Sequence, residues 1–308
     1  MVKKIDIIEV GPRDGFQNLL KNGEKFFLPT EEKLQIIESL IDAGVKHMQI
    51  TSFVSPKAIP QLSDAKAICA ALVPKYPDLD LFALIPNYRG AQGAAEAGLK
   101  KVTNVISLSV SHNKANINRT HDESFDALAK IVNDFPQMEV CLDVATAFGC
   151  PFEGKYYDVE PLLAFEQRAY DIGIRTMNLC DTVGMADPKQ VREFVTASKM
   201  KFPDVRFEVH IHDTRGMGVV NTLAAIETGC VDGVQSTLGG LGGCPFAPGA
   251  SGNTATEDLV LMLHEMGVET GIDVDKIISA AKAEYTEVEG NYSGANLHVE
   301  KRPQPCIY

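Results

Sequence analysis

Two histidines separated by a single residue, His210 and His212 in the run RFEVHIHD, are the first place where this sequence could do chemistry. Side chains two apart on a strand project to the same face, so one cation can reach both imidazoles. An ordinary pair of strand-end histidines is the competing reading. Asp213 follows directly but faces the other way in an unbroken strand, so its expected task is to orient the turn. The missing charge stands far away in the chain, at Asp14 in the glycine-flanked turn GPRDGFQN. Alone, R-D-G is a common turn, because Asp bonds its own backbone and Gly accepts a positive φ. Asn253, at the end of the run GLGGCPFAPGASGN, offers an amide oxygen. Two imidazoles, a carboxylate and an amide make a divalent site with open positions, suited to Mg²⁺ or Mn²⁺, with Zn²⁺ or Co²⁺ also compatible.

These residues meet only if the fold brings them together. Short β-rich runs fall at 4–10, 47–52, 81–86, 101–107, 139–145, 176–181, 206–212 and 233–238. Amphipathic stretches lie between them. In TEEKLQIIESLIDAG, Thr30 is the expected N-cap, Leu34, Ile37, Leu40 and Ile41 the buried stripe, and Gly44 the stop. Other helices end likewise, as in AEAG, YDIG and IETG, and each hands over to a strand. Eight such units in a chain of about this length predict a (β/α)8 TIM barrel, which takes roughly 250 residues. An open doubly wound sheet is the competitor. In a barrel the chemistry sits at the C-terminal strand ends, and polar residues gather there: Arg13, Asp14 and Gln17 after strand 1, Gln49 on strand 2, Asp181 on strand 6, the histidines on strand 7. Strands 1, 7 and 8 become neighbours on closure, so Asp14, His210, His212 and Asn253 can converge. The plan is a barrel over 1–270 and a short C-terminal helix and tail over 271–308.

Bulk properties narrow the partners. The chain has 308 residues, 45% hydrophobic and 23% charged, with a net charge of −12. That balance argues against nucleic acid or a membrane surface, since phosphates need a basic footprint. No apolar run is long enough to span a bilayer, and the opening MVKKIDIIEV lacks the apolar core of a signal peptide. The expected location is cytoplasmic. Seven cysteines without C-x-x-C spacing read as reduced thiols rather than a disulfide or zinc framework.

EVGPRDGFQN, TSFVSPK, FGCPFEG, DTVGMADP, HIHDTRG and GGLGGCPFAPGASGN, followed by ATEDLV, resemble the 3-hydroxy-3-methylglutaryl-CoA lyase family of the metal-dependent DRE-TIM lyases and synthases. The resemblance runs from about residue 5 to 270 in register. It implies a retro-Claisen cleavage of a 3-hydroxyacyl-CoA, giving acetyl-CoA and, in the namesake case, acetoacetate. It also implies that Asp14, His210, His212 and Asn253 hold the metal, that Arg13 binds substrate and stabilises the enolate, and that Cys244 is the active-site cysteine. Asp181 matches a supporting acid, and Gln17 and Gln49 join Arg13 as substrate contacts. Lys114 and Arg119, in HNKANINR, are candidates for the CoA phosphates, and a homodimer is the implied assembly.

Two positions depart from the pattern. Gln49 and Val110 stand where the family usually keeps acids, which points to a different acyl group or to drift with activity retained. Three other readings compete with the lyase: an acyl-CoA condensing synthase of the same superfamily, a metal-dependent hydrolase, and a silent barrel that binds a CoA ester. Hydrolases with H-x-H keep the pair on their first strand, whereas here it ends the seventh.

Overall fold

The computed structural model describes residues 2–243 and 252–300. Eight parallel strands close into a barrel: β1 Asp6–Glu9, β2 His47–Ser52, β3 Asp80–Leu84, β4 Lys101–Ser107, β5 Glu139–Ala145, β6 Thr176–Asp181, β7 Arg206–Ile211 and β8 Gly233–Ser236. Each pairs with its neighbour in sequence, and β1 joins β8 in the register Asp6↔Gly233 through Glu9↔Ser236. The expected (β/α)8 barrel is therefore the fold. The helices are α1 Thr30–Asp42, α2 Ala65–Leu72, α3 Tyr88–Glu96, α4 Val110–Ile117, α5 His121–Asp134, α6 Glu160–Asp171, α7 Pro188–Lys201, α8 Gly218–Glu227, α9 Thr256–Glu265 and α10 Val274–Glu287. Short hairpins, Leu20–Lys25 and Gly149–Lys155, decorate the C-terminal face after β1 and β5. No helix among the described residues is long and apolar enough to cross a membrane.

Outward strand residues such as Ile7, Met48, Ile50, Leu142, Val144, Val209 and Val234 join the helix stripes in one continuous core. At the N-terminal end, charged residues tie strands together: Arg206 to Asp6 at 3.0 Å and to Glu208 at 2.9 Å, Asp80 to Lys101 at 2.8 Å and to His47 at 3.0 Å.

Local details of α1 differ from expectation. Pro29, not Thr30, occupies the N-cap position, and the Thr30 hydroxyl instead donates to Asp64 at 2.9 Å. The buried face is rotated by one residue, to Lys33, Ile36, Ile37 and Leu40, leaving Leu34 and Ile41 half-buried. Lys33 can be buried because its ammonium meets Asp64 at 2.8 Å and the Gln61 carbonyl at 2.6 Å. Gly44 does stop the helix: its φ is +103°, and a Cβ there would lie 2.5 Å from the Gly271 carbonyl.

Candidate active site

The turn after β1 is helical over Gly11–Asp14, because the amides of Arg13 and Asp14 both return to the Val10 carbonyl, at 3.0 and 2.7 Å. That winding turns Arg13 and Asp14 into the barrel mouth, where both are buried. His210 lies inside β7, and His212 lies one residue past its end, bridged to Asn253. Asp14, His210 and His212 each offer a ligand atom, all within 4.8 Å of one another. Asn253 donates its amide to Asp14 Oδ2 at 2.8 Å and to the Leu241 carbonyl at 3.2 Å. Its Oδ1 is buried without a hydrogen-bond partner. The four residues drawn together in the sequence are thus assembled.

This donor set fits a divalent cation. The His210 and His212 Nε2 atoms face each other at 3.1 Å, and the Asn253 oxygen is buried without a geometric hydrogen bond. His210 Nδ1 meets Gln235 Oε1 at 3.2 Å, while Gln235 donates from Nε2 to Glu208 Oε2 at 3.2 Å. Because the amide orientation is fixed by Glu208, His210 must donate from Nδ1 and keep its lone pair on Nε2. Burial pushes both imidazoles down, His212 to about 3 with help from its neighbour His210, so both are neutral near pH 7. Burial acts to raise the Asp14 carboxyl, but Arg13, the imidazoles and the Asn253 amide outweigh it and bring the pKa to about 2. With the imidazoles neutral, Arg13 is the formal positive charge beside that carboxylate.

A cavity of about 970 Å³ opens above these groups. Arg13, Asp14, Gln17, His210 and His212 line its floor, and Leu19, Val54, Ile59, Leu84, Ile85 and Pro86 give it an apolar wall. Gln17 donates to Asp14 Oδ1 at 2.8 Å. Gln49 does not line the cavity: it lies beneath Arg13, accepting from its Nε, so its effect on substrate passes through the guanidinium. Asp181 also stands off the cavity lining. Its carboxylate accepts from the amides of Met185 at 2.8 Å and Ala186 at 3.0 Å, and it fixes the loop after β6 without lining the cavity. Lys114 and Arg119 are also absent from the lining, with Lys114 turned to the Asn118 carbonyl at 3.4 Å. The lysine on the wall is Lys25, at the mouth, on the hairpin after β1. Val110, exposed at the start of α4, does not line the cavity either. Asp213 accepts from the Gly218 amide at 2.6 Å and so orients the turn into α8, as expected. Cys244 lies outside the described residues.

The sequence reading missed Asp143, Gln235 and Glu9. Asp143, on β5, lines the cavity, accepts from Asn178 at 2.9 Å, and is raised by burial to about 7. A single acid inside the apolar run VCLDVA is the signal that could have marked it.

The HMGL-like family model matches residues 4–283. The chain is 39% identical to the hydroxymethylglutaryl-CoA lyase YngG of Bacillus subtilis, over 91% of this chain and 92% of that protein. It is also 39% identical to the (R)-citramalyl-CoA lyase of Chloroflexus aurantiacus, over 91% and 90%. The structure of an HMG-CoA lyase from Acinetobacter baumannii, in complex with coenzyme A and 3-methylmalate, superposes with a TM-score of 0.88 at 37% identity, covering 98% of each chain. With the barrel, the site at its C-terminal mouth and these relatives in agreement, the chain belongs to the HMGL-like family, that of the hydroxymethylglutaryl-CoA lyases.

Proposed function

We propose that this protein is a divalent-metal-dependent carbon–carbon lyase that cleaves 3-hydroxy-3-methylglutaryl-CoA to acetyl-CoA and acetoacetate. The observation that carries the reading is the convergence of Asp14, His210, His212 and the unpaired Asn253 oxygen beside Arg13 on one cavity floor. A cation bound by these four would lower the pKa of the substrate's tertiary hydroxyl. His210 and Asp14 are the proton acceptors in reach, and of the two the carboxylate, with its pKa near 2, is the weaker base. As the bond between C2 and C3 breaks, its electron pair passes to the thioester as an enolate, and C3 becomes a ketone. Arg13 donates to the enolate oxygen, held in place by Gln49 and Asp14. Cys244 or His210 then supplies the proton that turns the enolate into acetyl-CoA. The pantetheine arm enters past Lys25, Gly242 and Asn291 at the mouth.

A second reading keeps the chemistry and changes the acyl group. The identity to a citramalyl-CoA lyase, 39%, matches that to the hydroxymethylglutaryl-CoA lyase, and Gln49 gives Arg13 a neutral partner where the family resemblance implies an acid. Turnover of both thioesters, with product identification, separates the two: acetoacetate marks the first substrate and pyruvate the second. Turnover of neither by Mn²⁺-loaded protein rejects the lyase.

A further inference from the structure

Glu9 is the last residue of β1, fully buried, and no step above uses it. Its carboxyl reaches three chain segments. Oε1 accepts from the amide of Gly11 at 2.7 Å and of Leu238 at 3.0 Å, and Oε2 accepts from the Thr256 hydroxyl at 2.6 Å. Gly11 opens the turn that carries Arg13 and Asp14. Leu238 begins the exit from β8, and Thr256 stands three residues after Asn253 at the start of α9. The fit is close: a Cβ on Gly11 would lie 2.6 Å from Glu9 Oε1. Thr256 is in turn fixed by Ser236 Oγ at 2.8 Å and by its amide bond to the Thr237 carbonyl at 2.9 Å.

We propose that Glu9 is a positioning residue of the metal site, a single carboxyl that sets the Asp14 turn and the Asn253 segment in one frame. This rests on the reading that Asp14 and Asn253 hold a divalent cation. The two ligands come from opposite ends of the chain, and Asn253 makes one direct side-chain bond to Asp14. Glu9 bonds to both sides, to the Gly11 amide before Asp14 and to the Thr256 hydroxyl after Asn253. Two further buried acids, Glu257 and Glu284, face the same spot, and Glu257 Oε2 accepts from the Gly239 amide at 2.9 Å. That amide follows Leu238 directly, so the exit from β8 is held from both sides. Burial raises Glu9 to about 7, with its three hydrogen bonds opposing the rise. A neutral amide can therefore stand in for it: a glutamine oxygen accepts from both backbone amides, and its NH₂ donates to a rotated Thr256 hydroxyl.

The test is Mn²⁺ titration of the full chain, read by loss of the free-Mn²⁺ electron paramagnetic resonance signal, on variants that circular dichroism shows to be folded. Glu9→Met, close in size and without acceptors, is expected to weaken Mn²⁺ binding by about tenfold, the low end of the range for groups bonded directly to a ligand, while Glu9→Gln stays within about threefold. A purely structural role would lower the melting temperature of Glu9→Met without moving the Mn²⁺ dissociation constant of the folded protein, and that result overturns the proposal. If Glu9→Met does not fold, Thr256→Val decides: about fivefold or greater loss of Mn²⁺ affinity supports it, and unchanged affinity rejects it. Unmodified protein that binds no Mn²⁺ rejects the metal reading itself, and this inference with it. Protein that binds Mn²⁺ but cleaves no acyl-CoA rejects only the lyase.

Discussion

His210 and His212 hold their Nε2 atoms 3.1 Å apart in a site where burial keeps both rings neutral. Two such nitrogens repel unless a proton or a cation lies between them. Chelation should therefore abolish turnover, and Mg²⁺ or Mn²⁺ should restore it in the unmodified protein. His210→Ala should stay inactive after metal is returned. A coupled assay for the released keto acid reads all three.

Gln235 selects the His210 tautomer by accepting from Nδ1, and Glu208 fixes the amide that does so. Gln235→Met should weaken Mn²⁺ binding by roughly 10–100-fold, the range for losing a group bonded to a metal ligand, and lower activity at limiting metal more than at saturation. Isothermal titration with Mn²⁺ checks it. Unchanged affinity would show that the ring holds its orientation without Gln235.

Arg13 bonds both Gln49 and Asp14, and a lysine cannot make that planar fork. Arg13→Lys should keep the metal and lower kcat by roughly 10²–10³-fold, the range for one missing oxyanion donor. Steady-state kinetics beside a Mn²⁺ titration separate the two effects.

Cys244 follows β8 in the sequence, in the run GLGGCPFAPGASGN. Cys244→Ser should retain Mn²⁺ binding and lose most turnover, because a serine hydroxyl is a far weaker acid than a thiol. Full activity in the variant would reduce the residue to packing.

Glu166, buried between α6 and α7, accepts from Ser198 at 2.7 Å, yet burial raises its pKa to about 8, and its Oε2 has no partner. The folded chain keeps this proton to higher pH than the unfolded chain, so stability is complete near pH 4 and falls as pH rises to 8. One proton held across about three and a half pH units amounts to at most about 5 kcal/mol. Glu166→Gln should flatten that decline, with the gain growing between pH 5 and 8. Urea denaturation across this range measures it, and parallel curves for the two proteins would count against the assignment.

Glycine-ended helices and strand-end polar residues made the barrel and its metal site readable, because both signals are local. Thr30 misled for a local reason also: Pro29 takes the cap position and Asp64 draws the hydroxyl away. Asp181 shows that a strand-end acid can serve its own loop, here through the amides of Met185 and Ala186, a use that the sequence does not mark. Lys114 and Arg119 follow β4 as expected but do not reach the cavity. Glu9 stayed hidden since its partners stand 229 and 247 positions away, at Leu238 and Thr256, and no spacing in the sequence encodes such a distance.

The bond from Asn253 to Asp14 spans 239 positions, across the seam where β1 meets β8. A contact of that span is among the last a chain can make, because its entropy cost comes before any reward. The pocket is thus a certificate of completed folding: until β1 joins β8, the carboxylate of Asp14 stands apart from the histidines and Asn253, and the chain has no site in which to waste a cofactor or a thioester. A cation that binds only the finished ring also favours it by mass action, so metal supply and barrel lifetime are linked through one seam.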